Sequence, residues 1–148
     1  MTGIGLRNAQ LPAEDHAYYG LVWAGSKLTA LAGARLEREH RLPVTWFEVL
    51  LWLYHQDGSL AAGELGSFAT LSRSQVSRVL DALQARGLIT RTPSAADARS
   101  IEVSITSAGR DLFEQADRTR REALAPELAK LEPSEVEELA RILSKLKK

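Results

Sequence analysis

The chain has 148 residues, with 19 basic and 19 acidic side chains and no cysteine. This length suffices for one domain with a buried core, and the lack of cysteine excludes disulfides, thiolate metal ligands and a thiol-based redox sensor. No segment approaches the roughly 18 consecutive apolar residues of a membrane span, and no secretory signal is visible, so we expect a cytoplasmic protein without a membrane partner.

The first third of the chain predicts two helices. Residues 1–12 contain two glycines and one proline and read as a loose arm. Residues 13–40 contain no proline and repeat apolar side chains at helical spacing, which predicts one long helix. A second helix is expected over residues 45–56, with Thr45 and Glu48 forming a capping box. Because it is apolar almost all round, it should lie centrally in the core.

The stretch 71–87 has the pattern of a recognition helix. Four apolar residues fall at i, i+3, i+4 and i+7 and form one stripe: Val76, Val79, Leu80 and Leu83. Ser72 stands where an N-cap belongs and Gly87 where a helix ends. A shorter helix over residues 61–68 precedes this stretch. The polar face presents hydroxyl and guanidinium groups, so the pair predicts a helix-turn-helix.

A hairpin is predicted directly after the recognition helix. Residues 88–91 read as one strand, and residues 100–105 alternate with three apolar side chains on one face: Ile101, Val103 and Ile105. The intervening residues 92–99 are polar and form a loop. A helix-turn-helix followed by such a hairpin is a winged helix-turn-helix.

Two more helices are predicted at the end of the chain. Thr106 or Ser107 can cap a helix over residues 108–130, which Pro126 should kink or end. A last helix begins at residues 132–134 and carries an apolar stripe. The first and last helices have more apolar surface than the compact centre can cover, which predicts a two-fold homodimer.

Short motifs follow one another through the middle of the chain. They are TWFEVL at 45–50, LSRS at 71–74, LQARGLI at 83–89, DAR at 97–99 and ITSAGR at 105–110. Their order and spacing resemble the MarR-type bacterial transcription regulators. The resemblance implies a mainly α protein with a small antiparallel β wing, in which a winged helix-turn-helix is flanked by N- and C-terminal dimerisation helices.

We therefore expect one structural domain with three regions. Residues 1–42 would form the arm and a dimerisation helix, residues 43–105 the DNA-binding region, and residues 106–148 the C-terminal dimerisation helices. The implied function is a ligand-responsive homodimeric repressor on a pseudo-palindromic operator. No catalytic motif is present, so neither an enzyme nor a cofactor is expected. The alternative is a winged-helix protein–protein module without DNA function, which the net charge of zero favours.

The candidate DNA contacts lie on the outer face of the recognition helix and in the wing: Ser72, Arg73, Ser74, Gln75, Ser77, Arg78 and Arg99. Arginine can pair with guanine, glutamine with adenine, and serine with phosphate or base. The resemblance places Arg99 in the minor groove of double-stranded DNA, with Asp97 orienting the wing loop. Residues 59–104 contain five arginines against four carboxylates, so geometry must concentrate the positive charge.

The resemblance also implies a small aromatic or phenolic anion as effector, bound between the dimerisation helices and the DNA-binding region. The candidate wall residues are His16, Tyr19, Trp23, Trp46 and Trp52, and Arg35 or Arg38 could meet a carboxylate. Aromatic residues at helical spacing are, however, more often part of a core than of a ligand site. The three histidines are scattered, so no metal site is expected.

Overall fold

A computed structural model of the protein describes residues 11–69, 71–97 and 99–147. These residues form six helices: α1 (Ala13–His40), α2 (Val44–His55), α3 (Ala62–Phe68), α4 (Arg73–Ala85), α5 (Ser107–Leu128) and α6 (Pro133–Ser144). The strands are β1 (Ser59–Ala61), β2 (Ile89–Pro93) and β3 (Ile101–Ile105). The predicted fold class, mainly α with a small antiparallel wing, is confirmed. In the described part of the chain, no helix has both the length and the apolar character that crossing a membrane requires.

The first two helices meet at a tight turn. Helix α1 covers the predicted range, and its C-cap is Arg41, whose backbone is left-handed (φ 51°). Helix α2 begins at Val44, and Pro43 rather than Thr45 is its N-cap. The Pro43 carbonyl accepts hydrogen bonds from the amides of Trp46 and Phe47 at 3.0 and 3.1 Å. The predicted capping box is therefore wrong, because Thr45 already lies within the first helical turn.

Helix α2 lies at the centre of the core, as its composition predicts. It buries four side chains, Phe47, Val49, Leu50 and Leu53. The Phe47 ring stacks on Phe113 of α5 with centroids 5.3 Å apart. The apolar stripe of α4 and the strand residues Leu60, Ile89 and Val103 belong to the same cluster. One continuous core therefore fixes the helix-turn-helix against both α2 and α5.

The wing is a three-stranded antiparallel sheet with β3 in the centre and the order β1-β3-β2. Val103, which pairs with Leu60, is fully buried, whereas Ile101 is 43% exposed. Ile101 lies opposite Pro93 at the outer end of the hairpin, beyond the core. The predicted apolar face of β3 is therefore covered only over its inner half.

The last two helices begin with side-chain caps. The Thr106 hydroxyl accepts from the Gly109 amide at 3.0 Å and donates to the Gly87 carbonyl at 2.7 Å. A side chain at Gly109 would overlap the Leu88 carbonyl, so glycine is needed for this close approach. Helix α5 ends two residues beyond Pro126. Helix α6 starts at Pro133 after a Glu132–Glu135 capping box and buries none of its residues in this chain.

Candidate nucleic-acid interface

Helix α4 is fixed in place by its N-terminal cap and by its apolar stripe. The Ser72 hydroxyl accepts from the Gln75 amide at 3.2 Å, and the Gln75 side-chain oxygen accepts from the Ser72 amide at 2.8 Å. This capping box satisfies two amides that a helix start leaves without partners. Val76, Val79, Leu80 and Leu83 are all buried. The opposite face of α4 is therefore held in a defined orientation.

That opposite face carries the predicted contact residues. Six of the seven candidates belong to α4 or its cap, and all six are exposed: Ser72, Arg73, Ser74, Gln75, Ser77 and Arg78. Ser72 and Gln75 also hold the cap, so one lone pair of the Gln75 oxygen is already used, while its amide nitrogen has no partner among the described residues and could donate to a base. The Ser-x-x-Gln spacing is a known capping signature, and it could have shown this second role from the sequence.

The wing loop is organised around Asp97. One carboxylate oxygen of Asp97 accepts from the Arg99 amide at 3.0 Å, and the other lies 3.5 Å from the Ser100 hydroxyl. The Ser100 carbonyl in turn accepts from the Ser94 amide at 2.9 Å. Asp97 therefore caps the turn that presents Arg99, whose side chain is exposed.

A polar brace joins the wing to α4. The Arg91 guanidinium of β2 contacts Asp81 at 2.8 Å and donates to the Gln84 side-chain oxygen at 2.5 Å. This brace links β2 of the wing directly to the recognition helix. The sequence contained no signal for it, because the partners lie on different elements and charge pairing between elements depends on the fold.

Charge pairing differs between this surface and the long helices. In the described residues, the guanidinium groups of Arg73, Arg78 and Arg99 have no carboxylate partner. On α1 and α5, four cations are paired with carboxylates, as Lys27 is with Glu127 at 3.0 Å, whereas Arg38, Arg110 and Arg118 have no such partner among the described residues. Hydrogen bonds from Lys130 and Lys27 hold the pKa of the Glu127 carboxyl below its ordinary value. A chain of zero net charge thus presents, on α4 and the wing, three guanidinium groups that have no carboxylate partner in the described part of the chain.

A cleft of about 690 Å³ runs between α3, α4 and the wing. Its lining includes Arg73 and Ser77 of α4, together with Arg91 and Ile101 of the wing. Two of the predicted α4 contacts, Arg73 and Ser77, therefore lie on the side of the molecule from which the wing projects. Among the described residues, no group of three or more histidine, aspartate or glutamate side chains could hold a metal ion.

The predicted effector residues lie in different environments. His16, Tyr19 and Trp23 occupy the first half of α1, where Tyr19 is 53% and Trp23 is 49% exposed. Trp46 and Trp52 pack against the core from α2. The Trp52 ring stacks on Phe68 at 5.3 Å, and its indole nitrogen is buried and has no hydrogen-bond partner among the residues that the structure describes.

The two arginines suggested for an anionic ligand also differ. Arg35 forms ion pairs with Glu39 and Glu122, both at 3.1 Å. Hydrogen bonds from Arg35 keep the pKa of the Glu39 carboxyl below its usual value. Both arginines line a groove between α1 and α5. Among the described residues only Arg35 has ion-pair partners, so Arg38 is the arginine that could meet a carboxylate ligand.

Comparison with known proteins identifies the family. The MarR family profile matches residues 41–100. An HTH-type transcriptional repressor of Mycobacterium tuberculosis is 32% identical over 98 residues, which cover 66% of this chain and 70% of the relative.

Solved structures have the same fold. Sco3205, a MarR family transcriptional regulator from Streptomyces coelicolor solved in complex with DNA, superimposes with a TM-score of 0.81 at 21% identity, covering 92% of this chain and 90% of that one. BpsR of Bordetella bronchiseptica, whose DNA binding is regulated by 6-hydroxynicotinic acid, gives 0.78 at 22% identity, covering 90% and 99%. The chain therefore belongs to the MarR family of DNA-binding transcriptional regulators, and it is not an enzyme.

Proposed function

We propose that the protein is a homodimeric repressor that binds a pseudo-palindromic operator and is released by a small aromatic anion. The observation that carries this proposal is the set of guanidinium groups on α4 and the wing that have no carboxylate partner among the described residues. The core holds α4 in place, and the Arg91 brace links it to the wing. Exposed guanidinium groups without carboxylate partners suit phosphate and base contacts. The mycobacterial relative is a transcriptional repressor, which supports repression as the function of this chain.

Unburied apolar side chains on the terminal helices support the homodimer. On α6 and just after it, Val136, Leu139, Ile142 and Leu146 are all exposed. On α1 the exposed apolar residues include Tyr18, Leu21, Val22 and Trp23. A monomer rarely leaves so much apolar surface in water. A second copy related by a two-fold axis would cover both helices and present two copies of α4 to one face of the DNA.

In the proposed complex each α4 enters a major groove. Half-sites would lie about one helical turn apart, as in other dimeric helix-turn-helix proteins. Arg73 and Arg78 would contact base edges or phosphates together with Ser74 and Ser77. Arg99 would enter the adjacent minor groove, held by the Asp97 turn.

The effector proposal is supported by BpsR, which has this fold and whose DNA binding responds to 6-hydroxynicotinic acid. On this chain the candidate contacts are the exposed rings of Tyr19 and Trp23 on α1 and the guanidinium of Arg38, which has no ion-pair partner among the described residues. An aromatic acid can release the operator only if it binds the DNA-incompetent dimer more tightly than the competent one. We propose that it does so by changing the spacing of the two α4 helices.

The test is fluorescence anisotropy on DNA that the purified protein selects from a random pool, across a salt series with competitor DNA. We expect saturable binding of one dimer per site. Arg99→Ala should weaken binding and lower the salt slope by about one unit, since one phosphate-region cation is removed. The matched control is Arg121→Ala, which removes an exposed guanidinium from α5 that pairs with Asp117.

Two results would contradict the proposal. An unchanged salt slope for Arg99→Ala would remove this residue from the interface. Wild-type binding no tighter than to random DNA would reject the operator model and favour the alternative, a winged helix that engages a protein. Titration of aromatic acids into the preformed complex tests release, and retention of DNA at saturating concentrations of each acid would reject the effector proposal for those compounds.

A further inference from the structure

The C-terminal end of the recognition helix is tied to the C-terminal end of α1. Arg86, the C-cap residue of α4, donates from Nη1 to the Arg41 carbonyl at 2.9 Å and from Nη2 to the His40 carbonyl at 3.5 Å. Its guanidinium carbon lies 5.7 Å from the centroid of the Trp46 ring on α2. A single side chain therefore touches α1, α2 and α4 where they meet.

The geometry at the end of α1 explains why a guanidinium fits there. The last carbonyls of a helix have no partners within the helix and carry partial negative charge. Arg41 adopts left-handed angles (φ 51°, ψ 41°), a conformation that is unfavourable for a residue other than glycine. The carbonyls of His40 and Arg41 both accept from the planar guanidinium of Arg86, which has several donors. The ammonium group of a lysine could not reproduce this planar, two-carbonyl contact.

The end of α1 is also attached to α5. The His40 ring nitrogen Nε2 lies 2.7 Å from the Thr119 hydroxyl, and that hydroxyl donates to the Gln115 carbonyl at 3.3 Å. Thr119 is buried. The turn after α1 therefore belongs to the framework of the two long helices, and Arg86 links this framework to α4 by side-chain hydrogen bonds.

We propose that Arg86 is a positioning residue that transmits the orientation of α1 to the recognition helix and so sets the half-site spacing that the dimer accepts. This inference rests on the proposed function, because it assumes that two α4 helices read one operator. Two of the five N–H donors of the Arg86 guanidinium already have carbonyl partners at the end of α1, so we expect Arg86 to act through α4 rather than on DNA. A shift of the long helices on effector binding would reach α4 through this contact.

The experiment compares wild type with Arg86→Ala and Arg86→Lys on the selected operator and on versions with one or two base pairs inserted at its centre. Wild type should bind the altered operators at least ten-fold more weakly. Arg86→Ala should reduce this discrimination several-fold, while the salt slope on the unaltered operator stays the same. Arg86→Lys should restore part of the discrimination, because an ammonium can serve only one carbonyl and does not stack as a plane. Arg121→Ala serves as the charge-matched control.

Each of the other possible outcomes would reject one specific part of the proposal. A salt slope lowered by about one unit in Arg86→Ala would make Arg86 a phosphate contact and reject positioning. Unchanged discrimination in Arg86→Ala, with normal wild-type binding, would reject the coupling alone. Absence of specific wild-type binding would reject the proposed function and this role of Arg86 with it. Should Arg86→Ala fail to fold, Arg86→Lys carries the test, because full wild-type discrimination in that variant would reject the bidentate link.

Discussion

Helices α4 and α6 are built by nearly the same local rules but end in opposite environments. They have 13 and 12 residues, and each begins with a capping box and carries an apolar stripe. The stripe of α4 is buried in its own chain, whereas α6 buries no residue there. An amphipathic pattern thus predicts that one face will be covered, but it does not say by which partner.

The polar faces of the two helices differ in whether their cations are paired with carboxylates. On α6, Arg141 pairs with Glu138 at 2.5 Å, and this hydrogen bond lowers the pKa of the Glu138 carboxyl. On α4, Arg73 and Arg78 have no carboxylate partner within the described chain. The polar face of α4 thus suits an anionic partner, and the apolar face of α6 suits an apolar one. The two helices correspond to the two interfaces of the proposed repressor.

The largest effect is expected in the buried stripe of α4. Leu83 is fully buried, so Leu83→Ala should lower the free energy of unfolding by about 2–5 kcal/mol through lost burial and a residual cavity. Urea denaturation followed by circular dichroism measures this change. A loss below about 1 kcal/mol would show that the stripe of α4 is not part of the core and would remove the contrast with α6.

The next effect concerns the stripe of α6. Leu139 is 40% exposed in the single chain, so Leu139→Glu should leave the folded chain intact. A carboxylate in an apolar dimer interface should raise the dimer dissociation constant at least about 30-fold, which corresponds to about 2 kcal/mol. Sedimentation equilibrium measures it, with Ser144→Glu as a control that adds the same charge away from the stripe. Equal dimerisation of Leu139→Glu and wild type would place the dimer interface elsewhere.

The two capping boxes allow a sharper comparison. Ser72→Ala removes the cap of α4 and should cost about 0.5–2 kcal/mol of global stability, because α4 unfolds together with the core. Glu132→Ala removes the corresponding cap of α6 and should cost less in separated chains, because α6 contributes no buried residue. Thermal unfolding of both variants, at a concentration where the chains are monomeric, tests this order. A larger loss for Glu132→Ala would contradict it.

The smallest effect tests the charge contrast. Burial raises the pKa of the Asp117 carboxyl, but hydrogen bonds from Arg120 and Arg121 outweigh burial and lower it below the ordinary value of 3.8. A lowered folded-state pKa stabilises the fold above the unfolded value, and this contribution is lost as the pH falls through the folded value. Asp117→Asn should therefore be less stable than wild type near neutral pH and lose less stability on acidification below about pH 4.

Arg78→Ala is the matched variant for that measurement. Because Arg78 has no carboxylate partner among the described residues, its removal should leave the acid dependence of stability unchanged. Urea midpoints between neutral pH and pH 3 measure both variants. If the stability of Arg78→Ala depended less on pH than that of wild type, Arg78 would have a carboxylate partner. The cations of α4 would then not differ from the paired cations of α5 and α6.

Local patterns determined much of this protein in advance. The 13–40 helix, the stripe and N-cap of α4, the two wing strands and the start of α6 were all predicted, because periodicity, caps and turns depend on residues close in sequence. The motif order also indicated the family. The Thr45 cap was wrong for a local reason, since Pro43 starts the helix earlier and its carbonyl takes the first amides.

Contacts between distant residues were decided only by the tertiary structure. No spacing rule joins Arg86 to the carbonyls of His40 and Arg41, or Arg91 to Asp81, because such pairs exist only once the elements have packed. The fold also separated the candidate aromatic residues, leaving Trp23 exposed on α1 and packing Trp46 beneath Arg86. The sequence by itself determined which faces are apolar and which are cationic, whereas packing decided which of these faces the chain covers itself and which it leaves for another molecule.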